Sequence, residues 1–126
     1  MMDSPFENGL KIRREVVGAA RVEESLDQAD AFSRPLQELT TSFAWGQVWS
    51  RDDDLDRRSR SLLTIAMLIA LNRPDELKVH MLGGLNNGLT PIELREAVLH
   101  AAVYCGFPAA LAAMKTAQQV LAERRD

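Results

Sequence analysis

The run from Ser61 to Leu71, SLLTIAMLIAL, is the segment that most restricts what this chain can fold into. It is long enough for about three turns of helix, and its apolar residues fall on every side of that helix. The sequence therefore predicts a central, fully buried helix. Gly83 and Gly84 would let another helix approach closely, and a chain of 126 residues has little material to cover such a helix. We expect self-association to complete its burial; the alternative is that helices of the same chain suffice.

Helical signals also dominate the rest of the chain, and no segment shows the sustained apolar and polar alternation of a half-buried strand. The strongest local signal is Thr90-Pro91-Ile92-Glu93, which combines a capping box with proline in the first turn of a helix. We predict an all-α, single-domain bundle of about six helices over residues 1–126, with a flexible N-terminus over residues 1–9. The remaining helices are predicted near 10–26, near 31–49 with its start just before Pro35, from Pro74 to about Asn87, over about 91–105, and from Pro108 onward.

Charge and cysteine content exclude several classes of protein. The chain has 18 acidic and 15 basic residues and a net charge of -3, without a long block of like charge, so nucleic acid and anionic membrane are poor candidate partners. No stretch has the roughly 20 apolar residues of a membrane span, and the start of the chain lacks the apolar centre of a signal peptide. We expect a cytoplasmic protein. The single cysteine, Cys105, leaves no partner for a disulfide, a CxxC redox pair or a thiolate zinc site, and we interpret it as a small buried hydrophobic residue.

Four segments carry a resemblance to a known family: WGQVWSR at 45–51, AMLIALNRPDELKVH at 66–80, LNNGLT at 85–90 and YCGFP at 104–108. They resemble the carboxymuconolactone decarboxylase family over nearly the whole chain, and its 4-carboxymuconolactone decarboxylases more than its thiol-peroxidase branch. The resemblance implies an all-helical subunit of the alkylhydroperoxidase D-like kind. It also implies a homo-oligomer such as a trimer or hexamer, and chemistry that needs neither cofactor nor metal.

The thiol-peroxidase branch is disfavoured at two positions. That branch places the two cysteines of a CxxC pair seven and four residues before the histidine that corresponds to His80. In this chain the two positions hold Arg73 and Glu76. Thiol peroxidase chemistry needs one sulfur to attack and a second to resolve, so the chain lacks the groups for that cycle.

The activity implied by the resemblance is the removal of carbon dioxide from 4-carboxymuconolactone. The product is 3-oxoadipate enol-lactone, in the protocatechuate branch of the 3-oxoadipate pathway of aromatic catabolism. The electron pair left by carbon dioxide can flow through the ring double bond to the lactone carbonyl, so this dicarboxylate lactone is its own electron sink. The protein then has to bind the carboxylates, face the developing oxyanion with a donor, and protonate the ring carbon.

His80 is the first candidate for the acid, because histidine is the side chain that exchanges protons near neutral pH. Glu76 precedes it by one helical turn and would orient the imidazole and favour its charged form. The alternative is an ordinary surface pair. Glu96 and His100 repeat the same spacing one helix later, and spacing does not rank the two pairs; the resemblance favours His80 and Glu76.

The candidates for substrate binding are Arg57, Arg60, Arg73, Trp45 and Tyr104. Arg57, Arg58 and Arg60 lie in the predicted first turn of the central helix, where each opposes the helix dipole by roughly 0.3–1 kcal/mol, an unfavourable placement that a carboxylate ligand would explain. Arg60 borders the apolar run and is the first of these to point inward, and Arg73, near the helix that carries His80, is a second anchor candidate. A solvated cluster balanced by the nearby aspartates is the alternative.

Trp45 and Trp49, one turn apart, could pack on the lactone ring, but packing in the core or at an oligomer interface is the more common role of such a pair. The Tyr104 hydroxyl could donate to the oxyanion, and Tyr104 is as easily a core residue.

Two other functions stay open at this point. One is decarboxylation or isomerisation of another small lactone or keto acid on the same scaffold, since pocket shape sets substrate choice. The other is a non-catalytic oligomer that binds a small anion.

Overall fold

The structure, a computed structural model, describes the backbone of residues 3–125 and the side chains of residues 3–124, and most of these residues are helical. This range contains no strand, so the prediction of an all-α fold is confirmed. The helices form two compact units that divide between Arg57 and Arg58. In chain order they are α1 (Pro5–Val17), α2 (Ala19–Asp27), α3 (Arg34–Leu39) continued by a π-helix (Thr40–Val48), α4 (Arg57–Leu71), α5 (Pro74–Asn86), α6 (Pro91–Cys105) and α7 (Phe107–Arg125).

The N-terminal helices differ from the prediction of one helix near 10–26. Gly18 adopts φ +98°, a conformation that favours glycine, and it separates α1 from α2. α1 already begins at Pro5, where the Ser4 side chain accepts a hydrogen bond from the Glu7 backbone N–H at 3.1 Å. The part of the expected flexible N-terminus from Pro5 to Gly9 is therefore helical, and residues 1 and 2 lie outside the described residues.

The first unit depends on close backbone contact between α1 and the π-helix. A side chain at Gly9 would overlap the carbonyl oxygen of Thr41, and one at Gly46 would overlap that of Pro5. Arg13 adds two hydrogen bonds across the same contact, from its guanidinium to Gln37 Oε1 and to Thr41 Oγ1, both at 3.0 Å. The two glycines thus allow a spacing between helices that any other residue would prevent.

The second unit, α4 to α7, packs around a continuous apolar core. Gly84 allows α5 to lie close to α4, because a Cβ at this position would be 3.2 Å from Ile65 Cδ1 and 2.8 Å from Leu89 Cδ1, tighter than ordinary side-chain contacts. The same contact includes a hydrogen bond from Asn87 Nδ2 to the buried Ser61 Oγ at 2.9 Å. The core residues are Ile65, Ile69, Leu77, Met81, Leu85, Leu89, Leu94, Val98, Ala101, Ala110, Ala113, Ala117 and Val120.

The capping signals are confirmed in this unit. The Thr90 hydroxyl accepts from the Glu93 backbone N–H at 3.1 Å, and Glu93 Oε1 accepts from the Thr90 backbone N–H at 3.0 Å. Gly88 and Gly106, both with positive φ, follow α5 and α6 where the sequence predicted their ends. Between residues 3 and 125 no helix has both the length and the apolar content to cross a membrane.

The prediction of a fully buried central helix is wrong for the single chain. α4 buries one stripe, formed by Ser61, Ile65 and Ile69, whereas Leu63 and Met67 are exposed, the latter by 60%. Within the second unit, α4 therefore packs only one face against the apolar core.

Candidate active site

His80 lies on α5 between the buried core residues Leu77 and Met81 and is itself partly buried. Removal from water disfavours the charged imidazolium, so burial lowers the pKa of His80 from 6.5 to about 4. This downward shift of the His80 pKa is opposite to the expectation that Glu76 would favour the charged imidazolium. Glu76 is exposed in the first turn of α5, where it complements the helix dipole. His80 is thus neutral near pH 7.

The three predicted arginines have different surroundings. Arg57 belongs to the first unit, where its guanidinium lies 2.8 Å from Glu15 Oε2 and 3.3 Å from Asp52 Oδ2. These partners agree with a charge-balanced cluster at this position. Arg60 is partly buried in the first turns of α4, and Arg73 is exposed directly before α5. Arg73 therefore lies on the same segment as His80, two turns ahead of it.

Arg58 has a partner that the sequence did not indicate. It forms an ion pair with Glu93, the residue that also closes the capping box of α6. One carboxylate thereby joins the start of α4 to the start of α6. The two residues are 35 positions apart, so no local sequence pattern predicts this contact.

Trp45 is 5% exposed, and its ring lies 4.7 Å from that of Trp49, centroid to centroid. Little of the ring is open to a ligand in the single chain. This environment is the core role that the sequence analysis left open for Trp45. It lies in the first unit, on the π-helix.

A groove of about 440 Å³ lies between α4 and α6 in the second unit. We call it the α4–α6 groove; its lining is mostly apolar and consists of Leu62, Ala66, Glu93, Glu96, Ala97, His100, Ala101, Tyr104 and Cys105. The predicted substrate-binding residue Tyr104 is in it, while His80 does not line it. The structure thus associates Tyr104 with the second histidine and not with the first.

His100 and Tyr104 come together because they are one turn apart on α6. Their ring centroids are separated by 5.0 Å with a tilt of 47°, and both side chains are exposed, Tyr104 by 77%. Glu96 lines the same groove one turn before His100. The sequence already showed the i, i+4 spacing of these residues on α6. It did not show that α4 forms the other wall of the groove.

Cys105 is exposed on this groove, so its interpretation as a buried hydrophobic residue is wrong. It is the last residue of α6, on the turn that faces the groove and not the core. Within the described part of the chain, no three histidine, cysteine, aspartate or glutamate side chains cluster so as to hold a metal ion.

The described residues thus form a small all-helical protein with a groove that presents the imidazole of His100 and the phenol of Tyr104. The chain belongs to the Carboxymuconolactone decarboxylase family, whose profile matches residues 34–119. This confirms the resemblance stated from the sequence.

Two relatives define the chemistry further. The chain is 48% identical to nitrosuccinic acid decarboxylase of Metarhizium robertsii over 121 residues, which are 96% of this chain and 84% of that protein. It is 46% identical to 4-carboxymuconolactone decarboxylase of Acinetobacter baylyi over 115 residues, 91% of this chain and 85% of that protein. Both relatives are decarboxylases, which supports a carboxy-lyase.

Proposed function

We propose that this chain decarboxylates 4-carboxymuconolactone to 3-oxoadipate enol-lactone without a cofactor, in the protocatechuate branch of the 3-oxoadipate pathway. The observation that carries the proposal is the 46% identity to a 4-carboxymuconolactone decarboxylase over 91% of the chain. The segments quoted from the sequence, which include RPDELKVH and YCGFP, support it.

The reaction needs no electron-accepting group from the protein, because the substrate itself accepts the electron pair. The bond between the ring carbon and the carboxylate breaks, carbon dioxide leaves, and the electron pair moves through the ring double bond to the lactone carbonyl. A proton then adds to the carbon next to that carbonyl. The protein contributes by binding the carboxylates, stabilising the oxyanion and delivering the proton.

His80 is the histidine that the sequence proposes for the proton. With a pKa of about 4 it is neutral in the free protein, so it needs a negative charge nearby before it can act as an acid at neutral pH. The substrate brings two carboxylates, and their binding would raise that pKa. In this proposal Arg60 and Arg73 bind carboxylates, and Glu76 orients the imidazole.

Nitrosuccinate is the second candidate substrate, favoured by the 48% identity to a nitrosuccinic acid decarboxylase. Here the nitro group accepts the electron pair as a nitronate, and the protonated product is 3-nitropropanoate. Both candidate substrates are small dicarboxylates whose leaving carboxylate is attached to a saturated carbon from which the electron pair can pass into an electron-withdrawing group of the substrate itself. This shared property supports a cofactor-free reaction with either substrate.

The test is a direct comparison of the two substrates with the purified chain. Carbon dioxide release is followed with 4-carboxymuconolactone, generated in place from 3-carboxymuconate, and with nitrosuccinate. We expect kcat/KM for the lactone to exceed that for nitrosuccinate by at least about 100-fold, the discrimination that a pocket with matched polar contacts achieves. The reverse ratio would assign the chain to nitrosuccinate. Release from neither substrate would overturn both assignments.

A further inference from the structure

We propose that the α4–α6 groove is the substrate site of this decarboxylase, with Arg58 binding a substrate carboxylate and His100 protonating the ring carbon. The inference rests on the proposed function and changes the residue that performs its last step. His80 is partly buried on α5 beside the core, whereas His100 lines a groove large enough for the substrate.

Cavity size and lining favour the α4–α6 groove. Its volume of about 440 Å³ lies in the lower part of the range for small-molecule sites, which suits a single-ring dicarboxylate. A second pocket of about 250 Å³ between α6 and α7 presents Arg95 and Gln118 but no group that exchanges protons near neutral pH. The α4–α6 groove combines apolar walls for the ring with an imidazole and a phenol.

His100 is the better placed donor of the two histidines. It is exposed in the groove, so after each turnover it can recover a proton from water. Glu96, on the preceding turn, is placed to orient it. His80 has the opposite surroundings, because burial favours its neutral form.

The charge of the groove permits an anionic ligand although two glutamates line it. Glu93 is paired with Arg58, and Glu96 Oε2 lies 3.3 Å from Arg95 Nε. Each carboxylate is therefore balanced by an arginine, and a protonated His100 makes the groove positive.

Arg58 can bind a substrate carboxylate while it keeps Glu93. Glu93 uses one oxygen for the Thr90 backbone N–H and the other for the guanidinium. A guanidinium has five N–H donors, so donors remain for a substrate carboxylate while Glu93 stays paired. A planar guanidinium binds a carboxylate through two parallel hydrogen bonds, which fixes the orientation of the ring.

The step balances with these groups. Arg58 holds the carboxylate that stays on the substrate, and the leaving carboxylate faces the apolar wall formed by Leu62 and Ala66. Carbon dioxide departs, the electron pair reaches the lactone carbonyl oxygen, and the Tyr104 hydroxyl donates a hydrogen bond to that oxygen. The imidazolium of His100 gives its proton to the ring carbon and is protonated again from water.

The first experiment compares His100→Gln with His80→Gln and with Gln118→Ala, an exposed position on α7 that serves as the control. We expect His100→Gln to lower kcat at least about 100-fold with KM changed less than about threefold, because a missing acid affects the chemical step and not binding. His80→Gln tests the competing assignment of the proton to His80, and we expect it to lower kcat less than His100→Gln does. Arg58→Gln is expected to raise KM about tenfold, the loss of one charged carboxylate contact.

Two further readouts separate proton delivery from a structural effect. Turnover in deuterium oxide should place deuterium on one face of the new methylene carbon with the parent and on both faces with His100→Gln. Added imidazole should restore turnover to His100→Ala, because it replaces the missing acid. Far-UV circular dichroism confirms that each variant is folded.

The possible results are distinct. A parent chain that is inactive on both substrates would overturn the proposed function and, with it, this assignment. An active parent whose His100→Gln variant keeps its kcat and its one-sided deuteration would leave the function intact and exclude His100. A loss of kcat in His80→Gln alone would identify His80 as the proton donor.

Discussion

The low pKa of His80 links the stability of the fold to pH. The imidazole titrates near 6.5 when unfolded and at about 4 when folded, so between these values the unfolded chain binds one more proton. The contribution of neutral His80 is fully present above pH 6.5 and is lost as pH falls towards 4. The difference between the two pKa values predicts that the free energy of unfolding is about 2 kcal/mol lower at pH 5 than at pH 7.5.

This prediction is tested by urea unfolding of the parent and of His80→Gln at both pH values. Carboxylates titrate in the same range in both proteins, so the quantity to compare is the difference between the two losses. We expect the parent to lose about 2 kcal/mol more than the variant. Equal losses would contradict burial of a neutral imidazole at this position.

At the scale of elements, the contact between α1 and the π-helix gives a prediction for Gly9. A Cβ there would overlap the Thr41 carbonyl, a backbone atom that cannot turn away, so Gly9→Ala should destabilise the first unit by about 2 kcal/mol despite the better helix propensity of alanine. Asn8→Ala on the preceding position is the control. Trp45 and Trp49, the two tryptophans of the chain, are both in this unit, so their fluorescence during urea unfolding reports on it specifically. An unchanged midpoint for Gly9→Ala would contradict the close contact.

The elements also show which features the sequence predicts. The cap at Thr90 and the breaks at Gly88 and Gly106 were predicted because each depends on a few adjacent residues. The π-helix was not, because its position against α1 depends on glycines 37 residues apart, Gly9 and Gly46.

In the candidate site, too, the sequence predicts contacts between nearby residues but not contacts between separate helices. The proximity of His100 and Tyr104 follows from helical spacing alone. The ion pair of Arg58 with Glu93 and the groove itself depend on the packing of α4 against α6, which periodicity does not specify. His80 was recognised by its motif, whereas the direction of its pKa shift required its burial in the folded chain.

At the scale of the whole molecule, large apolar side chains remain exposed in both units. The first unit exposes Phe32, Leu36, Leu39 and Phe43, which follow one another at helical spacing. The second unit exposes Leu63, Met67, Leu71, Leu99, Val103, Phe107 and Leu111. Surfaces of this kind are typical of interfaces. We propose that the chain forms a homo-oligomer, a trimer or a hexamer, that covers them.

Sedimentation measures this directly, because the chain has a mass of 14.0 kDa and an oligomer has a multiple of it. We expect Met67→Glu to shift the distribution towards smaller species, since a charge buried in an interface is costly. Gln118→Glu, with a charge on an exposed polar position, should leave it unchanged. A monomeric parent would contradict self-association.

Cys105 allows ligand binding in the α4–α6 groove to be measured in the unaltered protein. It is exposed in that groove and is the single thiol of the chain, so a thiol-reactive chromophore attaches once per subunit and at one known place. The rate of labelling then reports how accessible the groove is to a small molecule. A dicarboxylate bound there would slow the reaction in proportion to its occupancy, which gives a dissociation constant without turnover and without an introduced label.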